Sequence, residues 1–371
     1  MSGRMTMRKV ILAGCAAVLL TGSGTPARQA TASIDGAPRI ENAQRETQAD
    51  TAGLAGAVQG IAAGAEKPTW IGYRVERVDG ERSICCGNYN DGEVCGTCKL
   101  EGDAHGVSIN RNDSVKLEGS RELVVLLRAE NHKVMRVRVA SEDCTLDAGG
   151  ARLVWLTGVK PEESVGLLSE YVLGGTFAAH EHSGIGDEAV MAIALHADAT
   201  ADRALETFTE SGQPGELRKK TVFWLGEARG AAGLERLKAL EKSDPSVEVR
   251  AQIAFALSVS REPGALDEMI LLAKNDGSSH VRGQALFWLA QKAGKKAVGA
   301  ISAAIENDPE TEVKRKAVFA LSQLPKDEGV PKLIEVAESN RNPEVRKQAM
   351  FWLGQSNDPR ALEFFEKVLA R

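Results

Sequence analysis

The chain has no surplus of positive charge. Its 46 Lys and Arg stand against 51 Asp and Glu, a formal −5 over 371 residues. Loss of Arg4, Arg8 and Lys9 with a leader would take −5 to −8. Nucleic acid is held largely through its phosphates, so an acidic chain is a poor candidate for binding it. Nor does the N-terminal apolar stretch, Val10–Leu20, span a membrane: it has 11 residues, and a crossing helix needs about 20. The P-loop, G-x-S-x-G and H-E-x-x-H patterns are all missing, which removes the usual nucleotide, acyl-transfer and zinc-hydrolase signatures. Histidine is scarce, at six residues, and only His180-Glu181-His182, with His196 further on, forms a cluster. Its Gly-rich setting reads as a solvated loop. No catalytic residue, metal or cofactor is expected.

The first nine residues carry Arg4, Arg8 and Lys9, and the apolar stretch gives way to the small, turn-prone T-G-S-G-T-P-A-R-Q-A. This is the pattern of an export signal over residues 1–27, with cleavage expected near 24–30 and a bacterial periplasm as the simplest destination. Leu12-Ala13-Gly14-Cys15 also matches a lipoprotein box, and lipidation at Cys15 would make the mature protein membrane-anchored. Residues 28–66 are rich in Ala, Gly, Gln and Thr and lack any aromatic residue. That composition predicts a linker that buries too little surface to order itself.

Residues 67–160 change character. W70-I-G-Y-R-V, L123-V-V-L-L-R, V134-M-R-V-R-V and R152-L-V-W-L are short β-like runs, with Asn131 between two of them in an expected hairpin. They predict a small, mostly antiparallel β domain. It carries Cys85, Cys86, Cys95, Cys98 and Cys144. In an exported chain such a cluster points to disulfides, and the odd number leaves one thiol free or paired between chains. Zinc on the CC-x8-C-x2-C spacing, or redox chemistry at Cys95-Gly-Thr-Cys98, remains the alternative. Residues 161–186 read as a connector.

From about residue 187 to 371 one pattern repeats every 32 positions. Its basic column is Arg218, Arg250, Arg282, Lys314 and Arg346; an apolar residue precedes each, and Leu225, Leu257, Leu289, Leu321 and Leu353 follow. A fixed period of this size marks a solenoid whose units bury their apolar faces only against neighbours. Each unit is two short helices: V345-R-K-Q-A-M-F-W-L is apolar at helical spacing, as is A361-L-E-F-F-E-K-V-L, with Asn, Asp and Pro between them. About six helix pairs fill the region. The fold class is therefore α+β and multidomain, an all-α solenoid preceded by a β domain.

Asp244, Asp276, Asp308 and Asn340 recur six residues before the basic column. They predict an Asp/Arg ladder that caps helices and ties repeats together. Trp224, Trp288 and Trp352 alternate with Ala192, Ala256 and Ala320 in one column, which reads as large-against-small packing. The column before it is Phe five times: Phe223, Phe255, Phe287, Phe319 and Phe351. At about 100° per residue it lies about 240° from the core-facing valine. Its neighbours on the helix surface are Lys220, Gln252, Gln284, Lys316 and Gln348 on one side. On the other are Glu227, Val259, Gln291, Gln323 and Gln355. A Phe stripe beside amides offers apolar contact and peptide-type hydrogen bonds. Burial of the rings between neighbouring helices is the competing expectation.

The pattern V-R-x-x-A-x-x-x-L-G, preceded by Asp or Asp-Pro, resembles the HEAT repeat, in the short variety of the phycobilin lyases. The resemblance covers half the chain. It implies a right-handed superhelix with the V-R helices on the concave side, but names no single activity. Deoxyhypusine hydroxylase, a HEAT-like iron enzyme, uses repeated His-Glu pairs on several helices. The single His180-Glu181 pair here, outside the clear repeats, argues against that chemistry. Two functions are consistent with the sequence. One is an exported, non-enzymatic scaffold whose solenoid holds a protein or extended peptide segment. The other is a thiol or metal protein with its chemistry at the 85–98 cysteines.

Overall fold

The structure, a computed structural model, describes residues 39–370 apart from 52, 80–82, 86–87, 91–92, 96, 102–106, 109–113, 117–120, 176 and 178–183. The segment expected to be an export signal, Cys15, Cys86 and His180-Glu181-His182 lie outside the described residues, as does the side chain of Cys95.

The N-terminal part begins with β1 (Ile40–Glu41), β2 (Gln44–Ala49), α1 (Leu54–Ala63) and β3 (Thr69–Glu76). Short strands β4 (Ser83–Cys85), β5 (Asn88–Asn90), β6 (Glu93–Cys95), β7 (Thr97–Lys99), β8 (Val107–Ser108) and β9 (Ser114–Lys116) follow. Then come β10 (Glu122–Glu130), β11 (Lys133–Ser141), β12 (Leu146–Asp147) and β13 (Arg152–Thr157). The hairpin expected at Asn131 is there: Asn131 and His132 both have positive φ, 53° and 63°, as a two-residue turn matching strand twist requires.

The main sheet has the order β11-β10-β3-β13-β2. Strand β10 is antiparallel to β11 and β3, whereas β13 runs parallel to both β3 and β2, so this sheet is mixed. Both faces of its centre are buried, which is why E122-L-V-V-L-L-R reads as a continuous apolar run rather than an alternating one. Leu123, Val125 and Leu127 face helices, while Val124 and Leu126 face a second cluster with Trp70, Trp155, Cys85, Cys98 and Cys144. Gly72 admits Trp155 to that second face. A Cβ at Gly72 would lie 2.8 Å from the indole.

Two expectations about boundaries are corrected here. Residues 28–66 are not simply a linker, since β1, β2 and α1 lie within them. Helix α1 buries Leu54, Ala57, Val58 and Ala62, one narrow apolar face sufficient for docking although the overall composition is poor. Strand β2 is exposed along its whole length and is held by its backbone ladder to β13. The connector 161–186 likewise contains a helix, α2 (Pro161–Gly174), with Pro161 at its start, Glu162 and Glu163 in its first turn, and Val165, Leu167, Leu168 and Val172 buried.

Two layers of helices follow. The inner layer is α3 (Ile185–Leu195) and then every second helix to the C-terminus, alternating with the outer layer, which begins at α4 (Ala199–Phe208). The next pairs are α5 (Gly215–Ala228) with α6 (Gly230–Ser243), and α7 (Val247–Val259) with α8 (Ala265–Asn275). Then come α9 (Ser279–Ala293) with α10 (Val298–Asn307), α11 (Thr311–Ser322) with α12 (Lys326–Ser339), and α13 (Pro343–Gln355) with α14 (Pro359–Leu369). Successive inner helices pack closely, while successive outer helices barely touch. A stack crowded along one layer and open along the other bends toward the crowded side, so the inner helices line the concave face.

The sheet and the solenoid share one core. Residues of β3, β10, α1, α2 and α3 join the repeat valines and leucines in a single buried cluster. A buried polar chain crosses this joint. His196 Nδ1 lies 2.7 Å from the Ala192 carbonyl, so Nδ1 carries the proton and donates. Nε2 then accepts from Ser164 Oγ at 2.8 Å, and Ser164 in turn accepts from the Tyr73 hydroxyl at 2.8 Å. Burial, the first cause in each, pushes the Tyr73 phenol up and His196 down to about 4. His196 is a fully buried structural residue. It takes no part in a surface cluster.

Candidate functional site

The concave helices carry two parallel columns with different tasks. The basic column holds repeats together. Arg218 reaches Asp244 at 2.7 and 2.6 Å, Arg250 reaches Asp276 at 2.8 and 3.3 Å, and Arg282 reaches Asp308 at 2.7 and 3.0 Å. Each Arg thus binds the Asp of the next repeat. Arg250 and Arg282 also donate to the main-chain carbonyl of their own repeat's Asp, both at 2.9 Å. The same aspartates accept from Ser246, Ser278 and Glu310 backbone N–H, so each carboxylate fixes the turn that leads into a helix and anchors a neighbour; none is itself the helix N-cap, which is Ser246, Ser278 or Glu310. The ladder stops there. Asn340 replaces the fourth Asp; its amide oxygen still accepts from the Asn342 backbone N–H but carries no charge. Lys314 turns to the Glu306 carbonyl, and Arg346 to the carbonyls of Asn340 and Arg341. Lys314 and Arg346 therefore belong to the column without forming a carboxylate rung.

The Phe column forms a ribbon. Phe223 stacks on Phe255 with centroids 5.6 Å apart, and Phe287 on Phe319 at 6.1 Å. Trp288 joins the first pair to the second, 4.5 Å from Phe255 and 5.0 Å from Phe287. Trp352 continues from Phe319 to Phe351, at 5.0 Å from each, and Trp224 flanks Phe223 at 5.0 Å. Eight rings from Trp224 to Phe351 are thereby in unbroken contact. Phe223, Phe255, Phe287 and Phe319 are half-buried and Phe351 is 55% exposed. The rings neither interdigitate in the core nor stand free: each covers part of its neighbour and leaves the rest open. The Trp residues belong to this ribbon, being half-buried, whereas Ala192, Ala256 and Ala320 are fully buried.

Amides border the ribbon. Gln252, Gln284 and Gln348 are half-buried, and Gln291 and Gln355 exposed. These five have no hydrogen-bond partner among the described residues. Gln323 donates to Ser322 at 3.0 Å. Lys220 pairs with Asp187 at 3.1 Å. At the C-terminal end Trp352 borders a cavity of about 250 Å³, together with Leu321, Leu324, Val330 and Leu333. The Trp352 indole N–H is itself buried, with no hydrogen-bond partner.

The third feature is the cysteine cluster. Cys85 and Cys144 form a disulfide with Cα atoms 5.6 Å apart. Cys98 is disulfide-bonded too, and its sulfur lies 3.3 Å from Cys85 Sγ and 3.5 Å from Cys144 Sγ. Among the described residues no cysteine is free, so the unpaired thiol expected from the odd count is not one of these three.

Sequence reasoning missed two groups. The Tyr73–Ser164–His196 chain joins segments far apart in sequence and leaves no spacing signal. Arg229, buried, binds Asp202 at 2.6 Å and the His196 carbonyl at 2.6 Å at the base of the solenoid; no periodic column contains that pairing.

Known proteins resemble the helical half. Residues 267–350 and 298–371 match HEAT repeats. A comparison with curated protein sequences gives no match. Among solved structures, the complex of CpcE and CpcF of phycocyanin lyase from Nostoc sp. PCC7120 is 24% identical, with a TM-score of 0.31, covering 42% of this chain and 99% of that one. Human deoxyhypusine hydroxylase, in complex with glycerol, is 18% identical, with a TM-score of 0.25, covering 55% of this chain and 77% of that one. With its 32-residue period, its paired helices and the family match over residues 267–371, the C-terminal part of the chain is a helical repeat solenoid that contains HEAT repeats.

Proposed function

We propose that this protein is an exported binding scaffold whose concave ribbon holds an extended segment of another protein. The carrying observation is the unbroken line of eight half-open rings beside glutamine amides that lack partners in the fold. Rings offer apolar contact to side chains, and amides both donate to and accept from a peptide backbone. A core would have no use for half-exposed rings with unpartnered amides at their margin. The centroid distances along the ribbon limit the span from Phe223 to Phe351 to at most about 31 Å; at about 3.3 Å per residue this accommodates about nine residues of peptide. The cavity beside Trp352 would take one anchoring side chain.

Export is supported by the basic, then apolar, then small-residue order of the first 30 positions, with membrane attachment only through a lipidated Cys15. The proposal requires neither catalysis nor a cofactor. An array of 15-residue peptides probed with the wild type and with Phe351→Ala tests it. Peptides that bind the wild type should lose signal with the variant. Equal binding by both proteins, or no bound peptide, contradicts the proposal.

A further inference from the structure

Among the described residues, one group of side chains converges as metal ligands do. The Sγ atoms of Cys85, Cys98 and Cys144 all lie within 4.8 Å of one another. They come from β4, from β7 and from the turn after β11, and are 1%, 3% and 0% exposed. We propose that, once its disulfides are reduced, this triangle binds one soft, thiophilic metal ion of the Zn(II) or Cu(I) type, so that the same three residues staple the domain when oxidised and chelate when reduced.

The placement of Cys98 separates this from simple disulfide exchange. A thiolate attacks a disulfide along the axis of the bond that breaks. Cys98 Sγ is nearly equidistant from Cys85 and Cys144, at 3.3 and 3.5 Å. It sits beside that bond rather than beyond its end. Three sulfurs around a common centre suit an ion. Metal–sulfur bonds of about 2.3 Å at tetrahedral angles put neighbouring sulfurs about 3.8 Å apart, a small widening of the two Cys98 distances; Cys85 and Cys144, bonded when oxidised, must part further after reduction. The donors are all sulfur, which selects soft ions over Mg or Ca. The surroundings are Trp70, Leu100, Val124, Leu146 and Trp155, so water is kept from the ion.

The balance is explicit. A phosphine reduces each disulfide with one water, which supplies the two protons of the two thiols and leaves its oxygen on the phosphine oxide; a dithiol supplies both electrons and both protons and becomes a disulfide. Each thiol that ligates then releases its proton. The ion ties β4, β7 and the segment after β11 together in place of the lost staple.

The test uses the full chain, reduced with a phosphine in the absence of oxygen and titrated with Cd(II) as the spectroscopic probe. The expected result is a sulfur-to-metal charge-transfer absorption saturating at one equivalent, with a rise in melting temperature on binding. Cys144→Ser should lower the affinity at least tenfold. The staple is open in both proteins under these conditions, so its loss does not distinguish them. Should Cys144→Ser fail to fold, the rise in wild-type melting temperature still decides. No absorption, no such rise, or an unchanged titration of folded Cys144→Ser, which would leave the ion on the Cys95–Cys98 pair alone, overturns the proposal.

Discussion

His196 Nε2 accepts a hydrogen bond from Ser164 Oγ across 2.8 Å at the joint between sheet and solenoid. This contact exists only while the imidazole is neutral, and burial first of all depresses His196 to about 4 from its ordinary value near 6.5. The folded pKa lies below the unfolded one, so the stabilisation is present above pH 6.5 and is lost as pH falls toward 4. A shift of this size corresponds to about 3 kcal/mol over that window. Denaturant unfolding at pH 7 and pH 4.5 should show this loss, and His196→Gln should flatten it. An equal pH dependence in the variant would assign the effect to other groups.

The ladder gives a second prediction. Arg282 and Asp308 are both buried, and removal of one partner of a buried pair leaves an uncompensated charge. Asp308→Ala should cost about 3–5 kcal/mol, read as the loss of unfolding free energy. Lys314→Ala, outside the carboxylate rungs, should cost much less. Extending the ladder is the more demanding test: Lys314→Arg and Asn340→Asp together should be more stable than the sum of the singles predicts, by about 0.5–3 kcal/mol. Strict additivity would mean that the rung geometry does not extend to this repeat.

The oxidised protein should depend on its staple and be indifferent to chelators. A disulfide contributes about 2–4 kcal/mol, so reductant should lower the melting temperature of the sheet region while a chelator added without reductant changes nothing. Destabilisation by the chelator alone would show that the oxidised cluster already depends on metal.

The export signal is checked by the intact mass of protein recovered from an exporting host. The expected N-terminus lies near residues 24–30. A diacylglyceryl adduct on Cys15 would establish the lipoprotein alternative instead.

What could be read from the chain followed the physics of repetition. Any contact made once per repeat leaves a column at 32 residues, so Arg282 and Asp308, or Phe287 and Phe319, are visible as spaced identities. The hairpin at Asn131 was legible because positive φ demands particular residues. Single-use contacts leave no such trace. Strand β2 pairs through its backbone and exposes every side chain, so no apolar alternation marks it. Helix α1 buries Leu54, Ala57, Val58 and Ala62 at helical spacing, a pattern hidden by averaging composition over 28–66. The half-open state of the Phe rings was beyond helix geometry, because it arises from rings of successive repeats covering one another.

The most direct test of the ribbon compares folding and binding in one substitution. Phe287 stacks on Phe319 and leaves part of its ring open. Phe287→Ala should weaken binding of an array-selected peptide by about 2 kcal/mol or more, as central contacts of an interface do, and lower the unfolding free energy by distinctly less than the cost of a core truncation. A loss of about 3–5 kcal/mol in folding, with peptide affinity unchanged in the remaining folded protein, would make the column a packing device and contradict the account.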